Sequence, residues 1–235
     1  MKGYCGNGRF LYISPMRTNL LLILVVLCHV SFGQPPLFDE FAVVADKDGY
    51  SNVRNAGGAG NKVVDTLNNG AFVFCMETKD GWTSIFYGKR KQELSGYIHH
   101  DRLKYISDYE RIPGVSGSDS IFAKDSIRVV VGVQRLSKSG YGIFKTGKSY
   151  GTDGERPTTE YRSIFVRLGS RELLLPRTAI GDLFQPTIFH TKVNYDRKKD
   201  ILYIQSMNSD GAGGYYVIWK IERGVYAGRF IASDF

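Results

Sequence analysis

The order of apolar and polar positions along the chain predicts strands rather than helices. After residue 33, no stretch keeps apolar residues at the 3.6-residue helical spacing over three turns. Short apolar runs and alternating runs recur instead, and they are rich in the β-branched and aromatic residues that strands favour. The predicted strands cover residues 42–45, 71–76, 83–87, 127–136, 163–168, 172–175, 201–207 and 215–221.

Turn-forming residues separate these runs and complete a mainly β prediction. The pair 169–170, Gly-Ser, stands between two runs and predicts a two-residue hairpin. Residues 191–222 predict a three-stranded meander with turns at 196–200 and 208–214. One short helix is predicted from residue 178 to residue 184, because prolines lie before and after it.

The stretch 45–63, ADKDGYSNVRNAGGAGNKV, gathers acids and glycines and allows three interpretations. A twelve-residue calcium loop that starts at Asp46 needs glycine at its sixth position and glutamate at its twelfth. This chain has Ser51 and Gly57 there. The glycines also lack the spacing of a phosphate-binding loop. Two tight turns around a short strand therefore fit the stretch best.

The N-terminal segment has the layout of a secretory signal peptide over residues 1–33. Arg17 precedes eight consecutive aliphatic residues, and small side chains stand just before an expected cleavage at Gln34. A true start at Met16 would leave a short charged region before the same apolar core. An uncleaved anchor is the alternative, but the apolar run falls short of the roughly 20 residues of a membrane span. We expect an exported chain, periplasmic or secreted, with no stable membrane span after cleavage.

Charge and cysteine content change this picture little. Loss of residues 1–33 removes three basic residues and no acid, which lowers the formal net charge from +8 to +5. The two dense basic clusters, 89–91 and 197–199, fit solvated turns better than a nucleic-acid surface. An anionic envelope surface stays open as a weakly bound partner. Only Cys75 remains after cleavage, so the exported chain has no internal disulfide.

Four ordered pieces of sequence between residues 41 and 106 resemble the bacterial SH3-like (SH3b) domain. They are AVVADKDGYSNVR at 42–54, KVVDTLNNG at 62–70, GW at 81–82 and GYIH at 96–99. Tyr97 stands where the family usually has tryptophan, and the loop 57–60 lacks the family's proline. The resemblance implies an N-terminal SH3-like small barrel over residues 34–106.

The remainder of the chain divides into a connection and a second domain. Residues 107–125 are rich in Ser, Gly and Asp and show little period, which predicts a linker or an irregular connection. Residues 126–235 predict a β-rich domain of unknown function that contains the meander and the short helix. This part resembles C-terminal modules of uncharacterised exported bacterial proteins.

The resemblance to SH3b domains implies a non-catalytic module that binds peptidoglycan or a peptide, or that positions a neighbouring domain. Trp82, Tyr87 and Tyr97 are the ligand-binding candidates, because together they would form an exposed aromatic groove. In the alternative, Trp82 and Tyr97 fill the wall of the barrel, since large aromatic side chains are mostly buried. Val53 is expected to point into the barrel by the two-residue alternation of a strand.

The residues with catalytic potential do not form a recognisable site in the sequence. Cys75 alternates with large apolar residues in a predicted strand, so we expect it to face the barrel core as a small hydrophobe. His99 and His100 are neighbours, and on a strand they would point to opposite faces and could not easily share a metal. We predict no catalytic residue, no metal site and no cofactor.

Carboxylates in two glycine-rich loops are the remaining acidic candidates. Asp153 and Glu155 lie in the first loop, Asp210 lies in the second, and Glu160 follows the first. Such carboxylates usually form turns, because aspartate hydrogen-bonds its own backbone. If the two loops lie side by side, however, calcium binding and acid–base chemistry both gain support.

Three functions stay open from the sequence. The leading hypothesis is a secreted, non-enzymatic binding protein of the bacterial envelope, with peptidoglycan or a peptide as ligand. The second is a cell-wall hydrolase with its site in residues 126–235 and the SH3-like domain as targeting module. The third is an inhibitor or immunity-type protein that blocks a secreted toxin or lysozyme through a protein–protein surface. No nucleic-acid partner is expected, and the sequence does not predict an oligomeric state.

Overall fold

The computed structural model describes residues 40–90, 92–115, 120–147 and 149–233. The predicted signal peptide lies outside these described residues. The described residues all belong to one compact unit. Within the described ranges, no helix has both the length and the apolar content that a membrane span requires.

The described part of the chain forms three antiparallel sheets, which confirms the mainly β prediction. The first sheet has seven strands and curls into a half-barrel. In spatial order the strands of the half-barrel are β3 (Val63–Asn68), β2 (Tyr50–Arg54), β6 (Gln92–His99), β5 (Trp82–Lys89), β4 (Phe72–Lys79), β1 (Glu40–Val44) and β7 (Leu103–Tyr105). Alternate side chains point inward and form an apolar interior, where Val53 is fully buried as its strand position predicts.

The second sheet, here the middle sheet, contains the predicted meander. Its spatial order is β17 (Val225–Ala232), β16 (Tyr215–Glu222), β15 (Ile201–Asn208), β14 (Lys192–Asp196) and β8 (Glu110–Ile112). Strands β14, β15 and β16 follow one another in the chain and pair as antiparallel neighbours. The third sheet, here the outer sheet, has the order β13 (Arg171–Leu174), β12 (Thr159–Leu168), β11 (Ile127–Arg135), β10 (Ser120–Lys124) and β9 (Gly114–Val115).

The middle sheet is covered on both faces. Along β15, Leu202 and Ile204 join a core with the outer sheet, whereas Ile201 and Tyr203 join a core with the half-barrel. A strand buried on both faces has no solvent side, so its sequence is a continuous apolar run instead of an alternation. Burial on both faces therefore explains the continuous apolar run Ile-Leu-Tyr-Ile at 201–204.

Aromatic side chains dominate the core between the half-barrel and the middle sheet, here the shared core. The Phe41 ring contacts Phe74 edge-on at 5.1 Å and Phe230 edge-on at 6.0 Å between ring centres. Phe74 also lies 4.5 Å from the ring of Tyr216 in β16. Each buried aromatic ring removes a large apolar area from water, so this core holds the half-barrel firmly against the middle sheet.

Short strands occupy much of the segment 107–125, for which the sequence predicts a linker or irregular connection. Strand β8 pairs with β14 in the middle sheet, and β10 pairs with both β9 and β11 in the outer sheet. The chain leaves the half-barrel through a 3-10 turn, Ile106–Asp108, whose Ile106 side chain is fully buried in the shared core. The division of the chain into domains at residues 106 and 126 stays a prediction.

The helix predicted for residues 178–184 is replaced by a 3-10 turn, Arg177–Ala179. In an α-helix the Ala179 carbonyl would accept the amide of Leu183. Here the indole N–H of Trp219 donates to that carbonyl at 2.8 Å, and the Leu183 amide bonds elsewhere. A tertiary hydrogen bond from β16 therefore takes the acceptor that a longer helix needs.

The α-helix found in the described part of the chain is α1 (Lys138–Phe144). Its N-cap is Ser137, whose hydroxyl accepts a hydrogen bond from the Gly140 amide at 3.0 Å. Serine is among the best N-cap residues, and this bond satisfies one of the free amides of the first turn. Two of its seven residues are glycine, which has a low helix propensity, so the sequence does not predict this helix.

We expect Phe74→Ala to destabilise the whole protein, because the ring is fully buried in the shared core. Loss of a buried phenylalanine costs about 3–5 kcal/mol. Urea unfolding followed by circular dichroism measures the change. Phe189→Ala is the control, since its ring is 90% exposed and its removal should change stability by less than about 0.5 kcal/mol. Equal, small effects of both substitutions would contradict the shared core.

Candidate ligand groove on the half-barrel

The outward face of β5 forms the floor of a groove, here the aromatic groove. Trp82, Ser84 and Phe86 alternate along this face, and Tyr97 of β6 lies directly opposite Ser84 in the strand register. Three partly exposed rings therefore surround one small side chain. The groove has a volume of about 770 Å³, within the range of small-molecule binding sites.

Two glycines form one wall of the aromatic groove. A Cβ atom on Gly57 would lie 3.1 Å from Cβ of Trp82, so glycine allows the loop to pass close to the ring. Gly58 has a φ of +126°, a backbone conformation that other residues rarely adopt. The side-chain amide of Asn61 donates to the Gly57 carbonyl at 2.7 Å and fixes the loop. The glycines of the 45–63 stretch thus border the groove.

Trp82 is held in place by neighbours on two other strands, β2 and β6. The guanidinium carbon of Arg54 lies 5.8 Å from the centre of the Trp82 ring, a cation–π contact. Arg54 also donates to the Asn61 carbonyl. The His99 ring meets Trp82 edge-on, with 5.3 Å between ring centres. These contacts fix the orientation of a ring that is still partly exposed to the groove.

A β-bulge in β4 adds a side chain to the opposite wall. Cys75 pairs with Ile85 and Thr78 pairs with Thr83, so two residues, Met76 and Glu77, stand opposite Ser84 alone. Bulges often re-aim a side chain and concentrate beside functional sites. Both bulge residues line the aromatic groove.

The structure brings Trp82 and Tyr97 together but places Tyr87 elsewhere. Tyr87 is 2% exposed inside the half-barrel, and its hydroxyl donates to Asp65 at 3.2 Å. Burial, with the nearby Asp65 carboxylate, raises the pKa of Tyr87 to about 12. The parity of strand positions explains the difference, because residues 82 and 87 are five apart and face opposite sides of β5. Phe86, which shares the outward face with Trp82, takes the third aromatic position.

Cys75 lies in the interior of the half-barrel, where alternation predicts it. The thiol is buried among the apolar side chains of that core. Burial raises the pKa of Cys75 far above its ordinary range, and the Glu40 carboxylate adds to the effect. A thiol in this environment lacks the thiolate character and the access that nucleophilic chemistry needs.

The two neighbouring histidines do not point to opposite faces, so that prediction is wrong. Strand β6 ends at His99, and His100 begins a 3-10 turn that rotates its ring toward the same side. The ring centres lie 4.9 Å apart. His99 Nδ1 hydrogen-bonds Asp101 at 2.6 Å and His100 Nδ1 bonds the Gly81 carbonyl at 3.0 Å. Each ring thus has a structural partner.

The two glycine-rich acidic loops do lie side by side. Ser209 donates to the Gly151 carbonyl at 3.5 Å, and the backbone of Thr152 packs against Gly213. Their carboxylates, Asp153, Glu155 and Asp210, are exposed to solvent. Among the described residues, no three His, Cys, Asp or Glu side chains form a group that could hold a metal ion.

Two other acids, Glu160 and Asp46, stabilise the fold through hydrogen bonds and ion pairs. Glu160 is fully buried and accepts a hydrogen bond from Gln134 at 2.7 Å and another from Arg177 at 3.3 Å. Asp46 accepts the Asp48 amide at 2.9 Å and pairs with Arg102, so it closes the turn before β2. Paired, buried carboxylates of this kind fix the backbone around them.

Comparison with protein-family models, curated proteins and solved structures finds no match for this chain. The aromatic groove is therefore interpreted from its own geometry. It offers ring faces, a serine hydroxyl, a glycine-rich wall and two exposed carboxylates, Glu77 and Asp80. Its lining contains no cysteine or histidine. This arrangement suits binding of a ligand with apolar stems and polar tips.

We expect Cys75 to be unreactive in the folded protein. In protein that begins at residue 34, a thiol reagent should label one cysteine per chain in denaturant and none under native conditions at pH 8, because burial both blocks access and suppresses the thiolate. A Ser95→Cys variant is the positive control, since position 95 is exposed on β6 and should react at once. Rapid native labelling of the parent protein would contradict the buried position.

Proposed function

We propose that this protein is an exported, non-enzymatic binding protein of the bacterial cell envelope. In this proposal the half-barrel is an SH3-like domain, and its ligand is the peptide part of peptidoglycan. The single observation that carries the proposal is the aromatic groove, in which Trp82, Phe86 and Tyr97 surround Ser84 on an outward face.

A peptide fits the shape and chemistry of this groove. The floor follows β5, so an extended chain can lie across three rings with its side chains between them. Gly57 and Gly58 leave the wall free of side chains and so allow a ligand backbone to approach closely. Tyr97 and Trp82 each combine a large apolar surface with one polar group, the pattern that recurs at binding hot spots.

The rest of the protein supports the groove mechanically. Phe86 and Met76 line the groove and also pack against the shared core. One end of the groove is therefore anchored to the middle sheet. A site held on packed strands loses little conformational freedom when a ligand binds.

We expect Trp82→Ala and Tyr97→Ala to weaken binding to purified peptidoglycan, each by about 5- to 30-fold, as for loss of a hot-spot ring. Co-sedimentation of the purified protein with insoluble peptidoglycan measures the bound fraction. Phe189→Ala is the matched control, because its exposed ring lies outside the groove and its removal should leave binding unchanged. Absence of binding by the parent protein, or equal binding by all variants, would refute the proposal.

Export is tested separately by the N-terminus of the mature protein. When the full chain is expressed in a bacterium, we expect the cell-envelope or culture fraction to hold a form that starts at Gln34, because cleavage follows the small residues at 31 and 33. N-terminal sequencing or intact-mass measurement identifies the start. Replacement of Leu24 by Arg should block export, since a charge breaks the apolar core. A cytoplasmic protein that retains residues 16–33 would contradict this prediction.

A further inference from the structure

We propose that the aromatic groove selects a ligand with a lysine-like side chain, whose ammonium binds over Ser84 between the Tyr97 ring and the Glu77 carboxylate. This inference rests on the proposed peptide-binding function and adds the chemistry of the ligand. It depends on three features of the half-barrel: the strand register, the partners of its acids and the rings of the groove.

The strand register creates a slot over Ser84. Tyr97 of β6 lies on one side of Ser84, and Glu77 of the β4 bulge lies on the other. Adjacent strands are about 4.8 Å apart, so the two flanking backbones are separated by roughly 9–10 Å. A serine between them leaves that width open at the floor. One extended side chain fits such a slot.

The bulge is the reason that a carboxylate stands at this place. An unbulged β4 would set one residue opposite Ser84, whereas here Met76 and Glu77 share that position and both reach the groove. Met76 supplies the apolar contact to the shared core. Glu77 is therefore the additional residue of the bulge, and its carboxylate has no role in packing the shared core.

Glu77 differs from the paired acids of the half-barrel. Asp46 pairs with Arg102, Asp65 pairs with Lys89, and Asp101 bonds His99. Within the described part of the chain, the Glu77 carboxylate makes no hydrogen bond or ion pair. The Glu77 carboxylate, exposed beside apolar rings, can therefore pair with the cation of a ligand.

The position of each charge, and not the net charge, decides where a cation can bind. The lining carries Glu77 and Asp80 against Lys79, and the Arg54 guanidinium lies over the Trp82 ring. Asp80, with a φ of +50°, and Gly81 form the two-residue turn between β4 and β5. Asp-Gly is common in such turns, so the presence of Asp80 has a structural explanation. Glu77 has no such explanation. The ligand's ammonium is therefore assigned to Glu77.

The rings complete the recognition of an ammonium with an aliphatic stem. A cation over an aromatic face gains electrostatic energy. The half-barrel already contains one such contact, because the Arg54 guanidinium carbon lies 5.8 Å from the Trp82 ring centre. Arg54 donates a hydrogen bond to the Asn61 carbonyl and already covers a face of the Trp82 ring. The ring that a ligand cation can contact is therefore Tyr97. The methylenes of a lysine stem would pack against Phe86.

Tryptophan fluorescence tests the proposal directly. The chain has two tryptophans, and Trp219 is fully buried with its indole N–H bonded to Ala179, so a ligand-dependent change reports Trp82. The protein is titrated with three peptides, Gly-Gly-X-Gly-Gly, in which X is lysine, norleucine or glutamate. We expect the lysine peptide to bind roughly tenfold more tightly than the norleucine peptide, and the glutamate peptide to bind most weakly.

The variant Glu77→Gln separates charge from packing. It should remove the preference for lysine over norleucine, since the exposed side chain keeps its size and loses its charge. Asp48→Asn is the matched control, because Asp48 is an exposed carboxylate of the half-barrel outside the groove, and this variant should retain the preference. Salt should reduce the preference in the parent protein but not in Glu77→Gln.

The outcomes distinguish this inference from the proposed function. Equal affinities for the lysine and norleucine peptides, or a lysine preference that survives Glu77→Gln, would overturn cation selection while peptide binding stands. If no peptide changes the fluorescence and the protein also fails to bind peptidoglycan, the proposed function itself is lost.

Discussion

Burial of the middle sheet on both faces is the constraint on which the rest of the structure depends. Strand β15 sends successive side chains to opposite cores, and only Met207 of its eight residues is exposed. If either covering layer were missing, one row of large apolar side chains would face water, at about 25 cal/mol for each Å² exposed. The half-barrel and the outer sheet are therefore parts of one cooperative structure.

This constraint also places the aromatic groove. The outward face of the half-barrel is divided: Phe41, Phe72 and Phe74 pack on the middle sheet, while Trp82 and Tyr97 lie beyond the edge of that contact. Aromatic rings on a covered face need no further explanation, because they form a core. Rings on the uncovered part of the same face are the informative ones, and here a glycine loop and a bulged strand border them.

Sequence periodicity could predict the strands but not the partners of each strand. The long runs of β4, β5, β11, β15 and β16 are visible as local patterns, whereas β8, β9 and β10 are short and depend on hydrogen bonds from strands distant in the chain. The position of the helix fails for a related reason, since Trp219 takes the Ala179 carbonyl. The groove was partly predictable, because an odd spacing along β5 already puts Tyr87 and Trp82 on opposite faces. The position of Glu77 was not predictable, because the bulge is visible only in the pairing of β4 with β5.

The two sets of exposed acids illustrate why neighbouring surface decides what a charge can do. Asp153, Glu155 and Asp210 stand on adjacent loops, yet water surrounds them and screens their interactions. Glu77 is also exposed, but it lines the aromatic groove, where a bound ligand would exclude water and so strengthen an ionic contact. An ammonium ligand at Glu77 would also cover apolar surface with its stem. The groove therefore combines an ionic contact with burial of apolar surface, whereas the two loops offer only the ionic contact. For this reason the groove is the better place for a ligand.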